Sequence, residues 1–288
     1  MLKAPRRSPV EAPLLFDVDP EPAEDLLTGL AGLTLVAEAF RGLSLGRSAN
    51  QHLQIKERQR GFDEGTYVES FVLLNAAGGD CLDDFDRLRE DRALAELLEH
   101  PLPSPEAARK FLYAFHDEEK IEQAKQQREA DQVSYIPAES EPLRGLAQVN
   151  VDLVRELGRR CPEQKIATID LDGTIIHSTK QEALATYQGG AGYQPVVALW
   201  AEMDVVVAEQ FRDGNVAAQQ QPLAVAREAF AALPETVQER WFRGDSGCYE
   251  QALLRWLRNG KREGGPAGYI GFAVSARMSE SLGEWIRL

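Results

Sequence analysis

Lys165-Ile-Ala-Thr-Ile-Asp-Leu-Asp-Gly-Thr174 is the stretch that decides how this chain folds. Ile166, Thr168 and Ile169 lean towards a β-strand, and Asp170 and Asp172 follow at a spacing of two, so both acids project from one face. A second acidic stretch, Arg243-Gly-Asp-Ser-Gly-Cys-Tyr249, follows the short strand candidate Arg240–Arg243 and sets Asp245 at its C-terminal end. If these two strands lie side by side, Asp172 and Asp245 come together although they are far apart in sequence. Two carboxylates that close repel unless a cation lies between them, and a divalent metal is the usual partner. The pattern is the skeleton of a metal-dependent phosphoryl-transfer site.

Each acidic stretch also has a plainer reading. Asp172-Gly173 suits a two-residue hairpin turn between Ile169 and Ile176. Asp245-Ser246 suits a helix N-cap ahead of Cys248. Taken together the plain readings weaken, because both acids fall at strand C-terminal ends, where open α/β sheets place their sites.

Outward from this stretch, the C-terminal part alternates strands and helices. Strands are expected over Lys165–Asp172, Gln194–Trp200 and Asp204–Phe211, the last ending in the turn Arg212-Asp-Gly-Asn215. A helix over Leu223–Leu233, the strand Arg240–Arg243, a helix over Cys248–Arg258 and a strand over Tyr269–Val274 follow. Asn259-Gly260 stops the second helix. The order is β-β-β-α-β-α-β, an α/β mixed sheet of three meandering strands followed by crossover helices.

Residues 1–23 read as a loose leader rich in Pro and acid, and residues 24–130 as a mainly helical domain. Leu26, Leu27, Leu30, Leu33 and Val36 give a helix from Asp25 to Phe40. Thr66–Leu74 is an apolar helix or strand, and Phe85, Leu88, Leu94 and Leu98 mark further helical turns. Ser104-Pro105 supplies a cap and a first-turn proline for a helix that buries Phe111. Glu118–Gln132 is polar all round, and residues 131–163 read as a linker and an amphipathic helix carrying Leu146, Val149, Leu153 and Leu157. Arg41–Arg60 is the basic segment, with Arg41, Arg47, Lys56, Arg58 and Arg60; it is either a solvated helix face or a phosphate-contacting surface.

The whole chain narrows the choice of function. At 288 residues, 43% of them hydrophobic, it can bury a sizeable core and hold about two domains. Cys81, Cys161 and Cys248 are scattered and odd in number, which builds no disulfide framework and suits a reducing, cytoplasmic setting. No apolar run is long enough to span a membrane. The net charge of −14 argues against a general nucleic-acid coat protein. Residues 1–150 hold 17 basic and 28 acidic side chains, so most of the excess lies there.

Two families share these elements. Asp170-Leu-Asp-Gly-Thr174 resembles the first motif of haloacid-dehalogenase-like phosphatases, in which the first Asp is the nucleophile, and Gly244-Asp-Ser with Glu250 resembles their metal motif. That resemblance lacks the Ser/Thr and Lys motifs such enzymes carry in between. The broader resemblance is to DDE transposases of bacterial insertion sequences. Asp172-Gly-Thr174, Gly189-Gly-Ala-Gly-Tyr-Gln-Pro195, Arg212-Asp-Gly-Asn215 and Arg243-Gly-Asp-Ser-Gly-Cys-Tyr249 follow that group's order of motifs. Asn75-Ala-Ala-Gly-Gly79, Asp83-Asp84, Leu88-Arg89 and Pro103-Ser-Pro105 resemble the helical domain before its catalytic core.

The resemblance implies a ribonuclease-H-like core over residues 164–288, with first and fourth strands adjacent and a helical DNA-binding domain ahead of it. It implies Asp172 and Asp245 as catalytic acids and metal ligands, two Mg²⁺ ions in a complete member, and double-stranded DNA as partner, with a homodimer as the assembly. Asp170 would support from the same face. The third acid of the family, a Glu in a Tyr-x(2)-Arg-x(3)-Glu pattern, has no match; Glu280 and Glu284 lack its surroundings. The core therefore reads as incomplete, a truncated and inactive transposase. The alternatives are the phosphatase, and a remnant that binds DNA without catalysis.

Overall fold

The computed structural model describes residues 27–56, 61–131, 134–276 and 283. The leader, Arg58, Arg60, Glu280 and Glu284 lie outside the described residues. The first half is helical: α1 (Leu33–Gly42), α2 (Leu45–His52), α3 (Glu64–Ala76), α4 (Asp84–Glu90), α5 (Arg92–Leu98), α6 (Pro105–Tyr113), α7 (Glu118–Asp131) and α8 (Glu141–Arg160). Asp63 caps α3 by accepting from the Thr66 N–H at 2.8 Å, which resolves the Thr66–Leu74 ambiguity as helix. Ser104 caps α6 through the Ala107 N–H, with Pro105 in the first turn. The first helix starts later than its apolar spacing suggests, because the backbone around Gly29 and Gly32 forms turns.

These helices pack around two clusters. Leu73, Leu74, Phe85, Leu88, Leu94, Leu98 and Ala108 form one, and Ala49, Leu53, Phe111 and Val149 the other. Val149 belongs to α8, whose Val154 is buried in the core of the second half. The Asn150 side chain also donates to the Val206 carbonyl at 3.0 Å. The segment expected to link two domains is thus shared between their cores.

The second half holds β1 (Ile166–Gly173), β2 (Ile176–His177), β3 (Leu184–Ala185), β4 (Ala191–Tyr193), β5 (Val196–Trp200), β6 (Val205–Gln210), β7 (Glu239–Gly244) and β8 (Gly271–Val274). Helix α9 (Pro222–Ala232) precedes β7, and a single 3-10 turn (Ser246–Cys248) and α10 (Gln251–Arg258) follow it. The main sheet runs β6-β5-β1-β7-β8; β1 pairs antiparallel with β5 and parallel with β7. This is the mixed ribonuclease-H-like sheet, with the first and fourth of its five strands adjacent. Ala167, Ile169 and Leu171 point into a core shared with Trp200, Phe242, Leu253, Leu257 and Ile270. Period two then turns Asp170 and Asp172 to the opposite face.

Three details differ from the sequence reading. Asp172-Gly173 is not a hairpin turn: β1 runs straight through it, with Gly173 opposite Val196. The helix expected from Cys248 is split, and Glu250 caps α10 by accepting from the Ala252 and Leu253 N–H groups. A small sheet, β2-β4-β3, is built from residues 176–193, which showed no strand pattern, and its central strand β4 comes from the Gly-rich stretch. Its strand β4 bridges from Tyr193 to Asp213. Only a residue without a side chain fits at Gly214, because a Cβ there would stand 2.5 Å from the Gly192 and Leu184 carbonyl oxygens. Gly214→Ala should lower stability by about 1–3 kcal/mol in chemical denaturation. Gly42→Ala, which meets no atom within 4 Å, should be neutral or slightly stabilising.

Candidate metal centre

Strands β1 and β7 pair with Asp170 opposite Arg243 and Leu171 opposite Gly244. Carrying that register one step further sets Asp172 opposite Asp245. The Asp245 backbone is still extended (φ −75°, ψ −167°), so the step does not turn away. Each acid holds one local bond: Asp172 Oδ1 accepts from the Gly173 N–H at 2.8 Å, and Asp245 Oδ1 from the Gly247 N–H at 2.7 Å. Asp245 is therefore also the N-cap of the plainer reading. Both side chains are exposed, and among the described residues each has one oxygen, Oδ2, without a partner.

A buried thiol ties the two strand ends together. Cys248 Sγ lies 3.7 Å from the Leu171 carbonyl, to which it donates, and a Cβ on Gly244 would run into it. Burial first, then the charges of Asp245 and Asp172, push this thiol up to about 12. Both acids act on one sulfur, which marks their shared neighbourhood. Arg212, at the Arg-Asp-Gly-Asn turn, is the opposing charge on that thiol. Its side chain is 1% exposed, and burial pushes it down to about 10. Nε donates to Gln210 at 2.8 Å, while both terminal nitrogens lack a partner among the described residues.

Asp170 has a different fate. Arg243 Nε and Nη2 donate to its two oxygens at 2.5 Å each. A phosphatase nucleophile needs a free oxygen, and Arg243 occupies both of those on Asp170, which counts against the phosphatase reading. Glu250, its would-be metal ligand, is the cap of α10. Sequence reasoning passed over Arg243 and Cys248 as parts of the centre. The signal was present: Arg243 precedes Asp245 by the same two residues that separate Asp170 from Asp172.

The basic segment is also partly committed. Arg41 donates to Glu69 at 2.9 Å and to the Leu98 carbonyl at 2.7 Å, and Lys56 Nζ donates to the Phe62 carbonyl. Arg47 is exposed and makes no ion pair among the described residues. No group of three His, Cys, Asp or Glu side chains among the described residues is arranged to hold a metal. Two carboxylates with free oxygens at adjoining strand ends do suit a hard divalent ion, whose remaining positions water or phosphate oxygens would fill.

The family model for transposase DDE domain group 1 matches residues 25–280. Among solved structures, the mariner Mos1 paired-end complex with Mg is similar at 13% identity, covering 91% of this chain and 90% of that one, with a TM-score of 0.21. The pre-cleavage Mos1 transpososome is similar at 13% identity over 80% and 75%, with a TM-score of 0.19. The fold assignment rests on strand order and family, not on these overlays. No curated protein matches the chain.

The raised thiol has a measurable consequence. At pH 8 Cys248 should resist iodoacetamide in the folded protein, while exposed Cys81 is alkylated. An unfolded thiol ionises near about 8.5 and the folded one near about 12, so stability should fall as pH rises between those values. Peptide mapping by mass spectrometry reads both sites; rapid labelling of native Cys248 would contradict the packing under Gly244.

Proposed function

This chain belongs to the transposase DDE domain group 1 family, and from that premise we propose that Asp172 and Asp245 hold Mg²⁺ for cutting and joining the DNA ends of a mobile element. The observation that carries the reading is the pairing of β1 with β7, which brings the two motif acids to adjoining strand ends, each with an open oxygen. Bound there, Mg²⁺ supplies charge that activates a water or a 3′-hydroxyl towards phosphorus and offsets the charge on the leaving oxygen. The protein's share is to hold the carboxylates in position. The Gly173 and Gly247 N–H groups fix one oxygen of each acid and leave the other directed by the strand ends. Both acids lie on the exposed side of the sheet, which suits a substrate as wide as duplex DNA.

DNA contact needs local positive charge against a net charge of −14. Arg47, Arg58 and Arg60 are the proposed phosphate contacts, with Arg41 holding α1 against α3 and Lys56 bonded to the Phe62 carbonyl. A homodimer, the assembly that brings two ends together, and a cytoplasmic setting belong to the same proposal. No helix among the described residues is long and apolar enough to cross a membrane.

Activity of this chain alone is a separate matter. Two carboxylates hold a divalent ion loosely, and the leaving-group side of a two-metal centre needs a third. We therefore expect the purified 288-residue chain to bind DNA but not to cut or join transposon ends in Mg²⁺ or Mn²⁺. Binding should weaken steeply with salt, and the triple change of Arg47, Arg58 and Arg60 to Ala should weaken it further and flatten the salt slope by about 2–3. Cleavage abolished by Asp245→Ala would show that a third ligand is already present; salt-independent binding would count against the basic segment.

A further inference from the structure

The outer face of β1 carries three residues in a row, and each is bound differently. Thr168 donates to Glu202 twice, from Oγ1 at 2.5 Å and from its N–H at 2.8 Å. Asp170 is held on both oxygens by Arg243. Asp172 has one oxygen engaged and one open. Polar pairing is thus complete along this face up to the last acid. Asp170 and Asp172 share the face and stand about 7 Å apart along the strand. At that spacing both carboxylates can turn towards one ion. What keeps Asp170 from doing so is Arg243, which lies directly opposite it in the parallel register and reaches it without bending either strand.

We propose that Arg243 is a positioning residue that withholds Asp170 from the metal centre, so that Asp172 and Asp245 serve it without this neighbouring carboxylate. The proposal rests on the metal reading of Asp172 and Asp245. The residue type matters. Arginine presents two parallel N–H donors that match both oxygens of a carboxylate, whereas lysine is a point charge that holds one oxygen and leaves the other free. The pair is also neutral overall, so Asp170 adds no net charge to the two acids beyond it. Releasing it would both add a ligand and raise the local negative charge, and both changes favour a divalent cation.

Mn²⁺ titration of the full chain, followed by the EPR signal of free Mn²⁺, tests this without reference to activity. The wild type should bind Mn²⁺ weakly, and Asp172→Asn should abolish that binding. Arg243→Gln should tighten binding about tenfold, because it adds one carboxylate ligand and its charge. Arg243→Lys should tighten it by a smaller factor, and Asp170→Asn combined with Arg243→Gln should remove the gain. An affinity in Arg243→Gln within twofold of wild type would overturn the proposal, as would a gain that survives the double change. An Arg243→Lys protein equal to wild type would assign the effect to charge alone and overturn it too. If Arg243→Gln does not fold, Arg243→Lys alone decides by the same criterion. Loss of binding in Asp172→Asn with no effect at Arg243 would sink this proposal only; binding indifferent to Asp172→Asn would sink the metal reading itself.

Discussion

The parallel ladder between β1 and β7 is the constraint on which the rest of this structure depends. It joins segments that are far apart in sequence, and a parallel pair of this kind requires a crossover. Here the crossover runs through β5, β6 and α9, which also supply a large share of the core around β1. Once Asp170 faces Arg243, every other placement follows by period two: Ile169 and Phe242 go into the core, and Asp172 and Asp245 go to the outer strand ends. A slip of one residue would bury the acids and expose the core face. The bidentate Asp170–Arg243 pair marks the correct register at the step before the acids.

Charge in this protein is used chiefly to hold its own parts together. Glu69 is buried between Arg41 at 2.9 Å and His100 at 3.5 Å, and its carboxylate raises the His100 pKa. Glu156 is held down to about 2 by Arg159 and Arg160. Such pairing explains why a run of basic residues in the sequence overstates the positive surface. Arg41 sits in the run but answers to an acid 28 positions away. The acidic excess of the first half is correspondingly less bare than its count suggests.

The glycine-rich motifs have a packing explanation as well as a family one. Gly214 of the Arg-Asp-Gly-Asn turn meets the carbonyls of Gly192 and Leu184 in the small sheet, so the two motifs require each other sterically. Gly244 makes room for Cys248, whose thiol reaches back to β1. In each case a missing side chain lets a backbone or sulfur approach a strand end. The motifs therefore pack closely behind the strand ends, where Asp172 and Asp245 face outward, each with an oxygen to offer.

The sequence by itself determined the large elements. The β-leaning run Lys165–Ile169, the continuous apolar run Val196–Trp200, helical spacing at Leu253, Leu254 and Leu257, and the Ser104-Pro105 cap are local signals, and local signals survive without knowledge of the fold. It also singled out Asp172 and Asp245, because their positions after strands repeat a motif order. Tertiary structure alone decided the rest. The hairpin reading of Asp172-Gly173 failed because β5 pairs across it, and pairing is a long-range event. The three strands of the small sheet have two or three residues each, too few to show a period. Asp170 and Asp172 look alike along the chain, and only the strand that lies beside them, with Arg243 opposite one and Asp245 beyond the other, makes one a paired group and the other an open one.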